Sequence, residues 1–181
     1  MILEVDRADL DTWLPDPDIC VSHRRASSAP PQQLWEAART VRLSETRLLG
    51  RLIRWRIPGV PAATSFDALF REQPFVVLGE EERALVCGLV GRIWTLRRDY
   101  PALADLGEFR AWTKTGTAKV VFANWVEDDP SGGGALRSET RVESFGVQGH
   151  VGLTSVRPLI RAFNQLVWSD AMATAARRAE R

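Results

Sequence analysis

Apolar and polar residues alternate along this chain with two periods, and the change falls at Phe75. Ahead of it stand one strand pattern and two helical ones. In "DICVSHRRA", Ile19, Val21 and His23 share one face of a predicted strand, and Cys20, Ser22 and Arg24 share the other. "SSAPPQQLWEAARTV" predicts a helix. Ser28 or Ala29 sits near its cap, the prolines fall in its first turn, and Leu34, Trp35, Ala38 and Val41 recur at helical spacing. A second helix is predicted from Ser44, whose side chain can cap the free amides while Glu45 suits the positive dipole end. Leu48, Leu49, Leu52 and Ile53 are its expected buried stripe, and "IPGVP" is its stop. "SFDALF" adds a helical turn or two.

From Phe75 onward the runs are short and rich in Val, Phe and Trp. "PFVVLG", "RALVCGLVGRIW", "EFRAW", "AKVVFANWVE" and "ALRSETRVESF" are separated by Gly, Pro, Asp and charged turns, which predicts an antiparallel meander. Val120, Phe122, Asn124 and Val126 share one face of their run, opposite Lys119, Val121, Ala123, Trp125 and Glu127. In the next run Leu136, Ser138, Thr140, Val142 and Ser144 alternate with Arg137, Glu139, Arg141 and Glu143, a charged set expected to point at water. The last element is a predicted helix over about 156–178. Thr154 or Ser155 is its cap, Pro158 stands in its first turn, and Val156, Leu159, Ile160, Phe163, Leu166, Val167 and Ala171 form its apolar stripe. No internal repeat is visible.

The triplet Gly132, Gly133 and Gly134 is followed by a strongly alternating strand with no lysine nearby. A phosphate loop needs glycines that open a helix, so a hairpin turn is the expectation. Gly88 and Gly91 lie inside a strand-like run, where glycine marks a bulge, a bend or a close backbone approach.

At 181 residues the chain fits one domain, and a domain of this size buries roughly 70% of its unfolded surface. Lys plus Arg is 24 and Asp plus Glu is 23, a net charge of +1, so nucleic acid is not favoured as a partner. Cys20 and Cys87 are far apart, each in an apolar run, and are expected to be buried free thiols with no zinc site. "MILEVDRADLDTW" is acidic and does not read as a signal peptide, and no stretch approaches the roughly 20 apolar residues of a membrane helix. A cytoplasmic protein without membrane insertion is expected. "LPDPD" excludes regular helix and keeps the residues before its prolines extended, so residues 1–17 read as a lead-in segment and 18–181 as the domain.

A strand, two short helices, an antiparallel meander and a long C-terminal helix make an α+β order that resembles the helix-grip fold of the START-like, or SRPBCC, superfamily. "LPDPDICVSH", "APPQQLW", "GLVGRIW", "GTAK" and "LRSETRV" resemble an uncharacterised bacterial branch of it. In that branch an aromatic-rich helical start tends to follow "ETRV". Here "FGVQGHVGLTSVRP" is glycine-rich, so a looped approach to the last helix is expected, with His150 inside a mobile stretch.

The resemblance implies a curved antiparallel sheet wrapped around the long helix, with an internal cavity for a lipid-, sterol- or polyketide-like molecule. It implies no shared catalytic set, metal or cofactor. If the Val120, Phe122 and Val126 face lines such a cavity, Asn124, Ser138 and Thr140 also point inward, and His23 joins them if the Ile19 face is the inner one. Apolar walls with a few convergent polar groups are the usual composition of a small-molecule site. The ligand-binding candidates are therefore His23, Val120, Phe122, Asn124, Ser138, Thr140, Leu159 and Phe163. As ordinary structural residues, Ser138 and Thr140 would be plain strand positions and Asn124 would bond neighbouring backbone.

Trp94, Trp112 and Trp125 on sheet runs either stack on a flat ligand or fill the core. Glu139 and Arg141 look like an outward ion pair of little consequence. Three readings follow: a carrier of a small hydrophobic molecule without catalysis, a cyclase or dehydratase in which His23 or Asn124 polarises a carbonyl, and an interaction module whose cavity is filled by tryptophans.

Overall fold

The computed structural model describes residues 7–57, 59–95, 99–130 and 132–181; residues 1–6 of the lead-in segment and Pro58 of the "IPGVP" stop lie outside them. Five strands form one sheet: β1 (Ile19–Ser27), β2 (Val76–Glu81), β3 (Ala84–Gly91), β4 (Ala118–Asp128) and β5 (Gly134–Ser144). All neighbours are antiparallel in the order β1-β5-β4-β3-β2, so the first strand closes onto the last. Helices α2 (Pro31–Thr40), α3 (Leu49–Arg56) and α4 (Phe66–Arg71) follow β1, and α5 (Leu106–Ala111) lies between β3 and β4. The C-terminal helix runs as α6 (Gly146–Leu166), a π-helical segment (Val167–Met172) and α7 (Ala173–Ala179). A curved antiparallel sheet gripping a long C-terminal helix is the helix-grip architecture.

The strand parities hold. β1 shows alternating burial with Ile19, Val21 and His23 on the inner side. The glycine triplet turns the β4–β5 hairpin, with Gly132 and Gly133 at φ +89° and +99°. A Cβ on Gly133 would also come within 2.4 Å of the Ser27 carbonyl oxygen, so backbone conformation and space both demand glycine there.

Four features depart from the sequence expectations. "EFRAW" is helical, as α5, because Asp105 and Glu108 form a reciprocal cap: the Glu108 amide donates to Asp105 Oδ1 at 2.8 Å, and Glu108 Oε2 accepts from the Ala104 amide at 2.6 Å. Its Phe109 packs where a Cβ on Gly88 would sit, 2.4 Å from the ring, which is why a glycine interrupts β3.

The second helix starts later than Ser44. A 3₁₀ turn (Leu43–Glu45) comes first, and the amides of Arg47, Leu48 and Leu49 donate to the Asp170 carboxylate at 3.0, 2.9 and 3.2 Å. Thr46 Oγ1 accepts from the Gly50 amide. This rotates Leu49 and Ile53 into the core and leaves Leu48 and Leu52 exposed.

The third departure is that the glycine-rich approach to the last helix is itself helical, so Pro158 lies inside α6 and His150 on its first turns. A Cβ on Gly152 would meet the Trp94 ring at 2.4 Å, and Gly149 sits against the Thr117 carbonyl. These glycines admit close packing of the helix against the sheet end; they do not unwind it.

The fourth concerns the charged face of β5, which does not point at water. A helix in the lead-in segment, α1 (Arg7–Trp13), lies over it, and Glu139 and Arg141 are each only 4% exposed. Arg141 Nε donates to Glu139 at 2.7 Å, and its Nη1 donates to the Leu14 carbonyl at 2.9 Å and to Asp11 at 2.5 Å. Burial lowers the affinity of this guanidinium for its proton, but the two carboxylates outweigh that and raise it. Cys20, expected to be buried, is exposed on the same face, its thiol 3.6 Å from Glu139; Cys87 is buried.

Candidate functional site

Inner-face residues of β3, β4 and β5 face α2, α3, α4 and α6 across a gap that the side chains do not fill. The gap is a cavity of about 360 Å³, within the range of about 300–1,000 Å³ typical of small-molecule pockets. Its walls are overwhelmingly apolar. Phe70, Phe75 and Phe122 form a three-ring cluster, with centroids 5.1 Å apart for Phe70–Phe75 and 5.9 Å for each ring against Phe122. Val156, Ile160, Phe163 and Leu166 of α6 close the opposite side.

Register explains how polar groups enter this apolar space. Asn124 pairs with Ser138 across β4 and β5, and Ser138 pairs with His23 across β5 and β1, so one row of the sheet carries three hydrogen-bonding side chains on its inner face. In the adjoining row Phe122 pairs with Thr140. Asn124, Ser138 and Thr140 line the cavity, as do Val120, Phe122, Leu159 and Phe163. His23 does not line it. β1 is an edge strand beyond the cavity, and the His23 ring bonds the Asn164 main chain while its buried Nε2 has no partner. Burial lowers the pKa of this imidazole, only partly offset by that hydrogen bond, so the neutral form is favoured.

Sequence reasoning missed Asn164, which is 4% exposed, lines the cavity from α6 and donates from Nδ2 to the Ile160 carbonyl. Its place within an apolar helical stripe was the available signal. Also missed were an ion pair and an arginine–tyrosine contact on the wall. Arg39 bonds Asp67 at 3.3 Å, and Arg56 bonds the Tyr100 hydroxyl with its guanidinium over the ring, 5.0 Å from the centroid.

Trp94, Trp112 and Trp125 do not line the cavity. Trp125 and Trp112 pack with the outer-face cluster, and Trp94 packs at the sheet end against α6. Trp35 and Trp55 do line the cavity, but about 360 Å³ beside them stays unfilled, which counts against an interaction module whose cavity is filled by tryptophans.

Chemically the wall offers the neutral donors and acceptors Asn124, Ser138, Thr140 and Asn164, with Arg39, Asp67 and Arg56 as its charged groups. Burial pushes the Cys87 thiol up to about 12, so it stays protonated and is a poor nucleophile. Among the described residues no group of three or more His, Cys, Asp or Glu side chains is arranged to hold a metal ion, and no helix is long and apolar enough to cross a membrane.

No protein-family model and no curated protein matches the chain. Similar solved structures include a structural-genomics protein from Mesorhizobium loti, at 18% identity over 88% of this chain and 98% of that one, with a TM-score of 0.36. A protein from Thermus thermophilus is 12% identical over 89% and 97%, at a TM-score of 0.34. An aromatase/cyclase from a Streptomyces species is 12% identical over 88% and 94%, at a TM-score of 0.33. Likeness at this level does not bear on chemistry; the helix-grip architecture stands on the strand order and the long helix.

Proposed function

We propose that the protein is a START-like carrier that binds a small, largely hydrophobic molecule in the cavity between its sheet and its C-terminal helix. The observation behind this reading is the unfilled apolar volume of about 360 Å³ beside a row of neutral polar side chains. A void of that size costs stability unless something occupies it, and an apolar void stays dry and takes up apolar molecules. Asn124, Ser138 and Thr140 would hold the single polar end of the ligand while the phenylalanine cluster and the α6 stripe cover its body. Lipid-, sterol- and polyketide-like molecules share that pattern. A cyclase or dehydratase in which His23 or Asn124 polarises a carbonyl is the second reading; of the two only Asn124 is on the cavity wall, and its amide is not an acid–base group.

Native mass spectrometry of freshly purified protein tests the reading. It predicts extra mass that leaves on denaturation and fragments as an apolar molecule; a bare chain that also fails to take up any added apolar compound would overturn it.

A further inference from the structure

The rim of the cavity is built from α3 and the middle of α6, and apolar side chains stand out from it. Leu52, Trp55 and Leu159 line the cavity yet are 39%, 65% and 65% exposed, and Leu48, one turn before Leu52, is 54% exposed. Large apolar side chains gathered around an opening mark an interaction surface more than a single exposed leucine does.

Charge is sorted on the same two segments. Between Thr46 and Ser65 and between Ser144 and Ser169 the chain has six arginines and no aspartate or glutamate, whereas the remainder has 18 basic residues against 23 acidic ones. The net charge of +1 hides this separation. Arg51, Arg54 and Arg161 are exposed and ion-pair with no acid among the described residues. Asp170, the acid that faces α3, is 9% exposed and lies under the amides it caps.

We propose that this rim docks on the surface of an anionic lipid bilayer, with the cavity mouth toward the acyl chains. Arginines interleaved with leucine and tryptophan on a short surface helix are the composition of interfacial helices, with tryptophan at headgroup depth and guanidinium groups among the phosphates. An acidic protein would satisfy the arginines, but it gives no reason for the protruding Leu48, Leu52, Trp55 and Leu159. A bilayer satisfies both, and an apolar ligand then passes between cavity and membrane without crossing water. The proposal deepens the carrier reading by naming the surface with which the ligand is exchanged.

Co-sedimentation of the full chain with vesicles tests it. Vesicles of phosphatidylcholine with phosphatidylglycerol should bind the protein, phosphatidylcholine alone should bind it weakly, and added salt should release it. The double variant Arg51→Gln, Arg54→Gln should lower partitioning by about tenfold or more, and Trp55→Ala by a smaller factor. Thermal unfolding, together with uptake of an apolar dye in the absence of vesicles, verifies that the double variant is folded with its cavity intact. Equal binding to both vesicle types, binding to neither, or undiminished binding by the double variant would overturn the proposal, and binding to neither would leave the face to an acidic protein. Failure of the carrier reading shows separately, as a wild-type chain that docks on vesicles but takes up no dye.

Discussion

On the outer face of the sheet Phe109, Leu10 and Leu14 are buried to 1% exposure or less, whereas the inner face of the same strands leaves a void of about 360 Å³. β3 is buried along its whole length because it meets both environments, the helix-side gap through Leu85 and Leu89 and the close-packed outer cluster through Val86 and Val90. The outer packing is tight enough to require glycine at 88, with Phe109 in the place of a side chain. A chain that closes one face this well does not leave the other open for want of apolar residues. The inner gap is a built feature, and that is what makes a ligand the economical explanation.

The contrast can be broken most forcefully from outside. Phe109→Ala empties a fully buried site beside Gly88 and should cost about 3–5 kcal/mol in chemical denaturation. A loss of under about 1 kcal/mol would mean that the outer face is no better filled than the inner one.

Asp170→Ala comes next. It leaves the amides of Arg47, Leu48 and Leu49 without their acceptor and should cost about 1–3 kcal/mol, while loosening α3 over the cavity and speeding release of a bound dye. Burial pushes the Asp170 carboxyl up, but the three amides and Arg47 outweigh this and hold it below the ordinary carboxylate range. Its folded pKa is thus depressed, so its contribution is fully present above the unfolded value of about 3.9 and is lost as pH falls through the lower folded value. The variant should show a flatter acid limb below about pH 4 in a melting-temperature series.

The smallest effect is at His23. Its pKa is lowered by burial, so the unfolded chain takes up the proton first and stability should decline as pH drops below about 6.5. The slope stays below about 1.4 kcal/mol per pH unit for one group. His23→Gln should remove that slope without changing dye uptake, because the ring is outside the wall; lost uptake would place the ring in the site after all.

Much of the inner face was legible because parity along a strand is local. The faces of β4 and β5, with Asn124, Ser138 and Thr140 on the inner one, and the apolar stripe of α6 follow from alternation or helical spacing, whereas the row that pairs Asn124 with Ser138 needed the strand register. The outer face was not legible, because its covering comes from far away: Arg141 meets Asp11 and Leu14 across 130 and 127 residues of sequence, and nothing near β5 announces it. "EFRAW" misled through its aromatics, although the Asp105 to Glu108 spacing carried a capping signal. The starts of α3 and α6 escaped for opposite reasons. One is capped by Asp170 from the π-helical segment, and the other is a glycine-rich helix whose glycines serve close packing. His23 had the right parity but the wrong strand, since a face does not reveal where along the sheet the gap ends.

The most direct test of the inner face is a fluorescence titration of a dye with an apolar body and one polar end against the wild-type protein and Asn124→Leu, a substitution that removes a polar anchor and extends apolar bulk into the gap. The account predicts one dye per wild-type chain and at least tenfold weaker uptake by the folded variant. Equal uptake by both would contradict it, because the dye would then be bound elsewhere and the void under the C-terminal helix would not be the site.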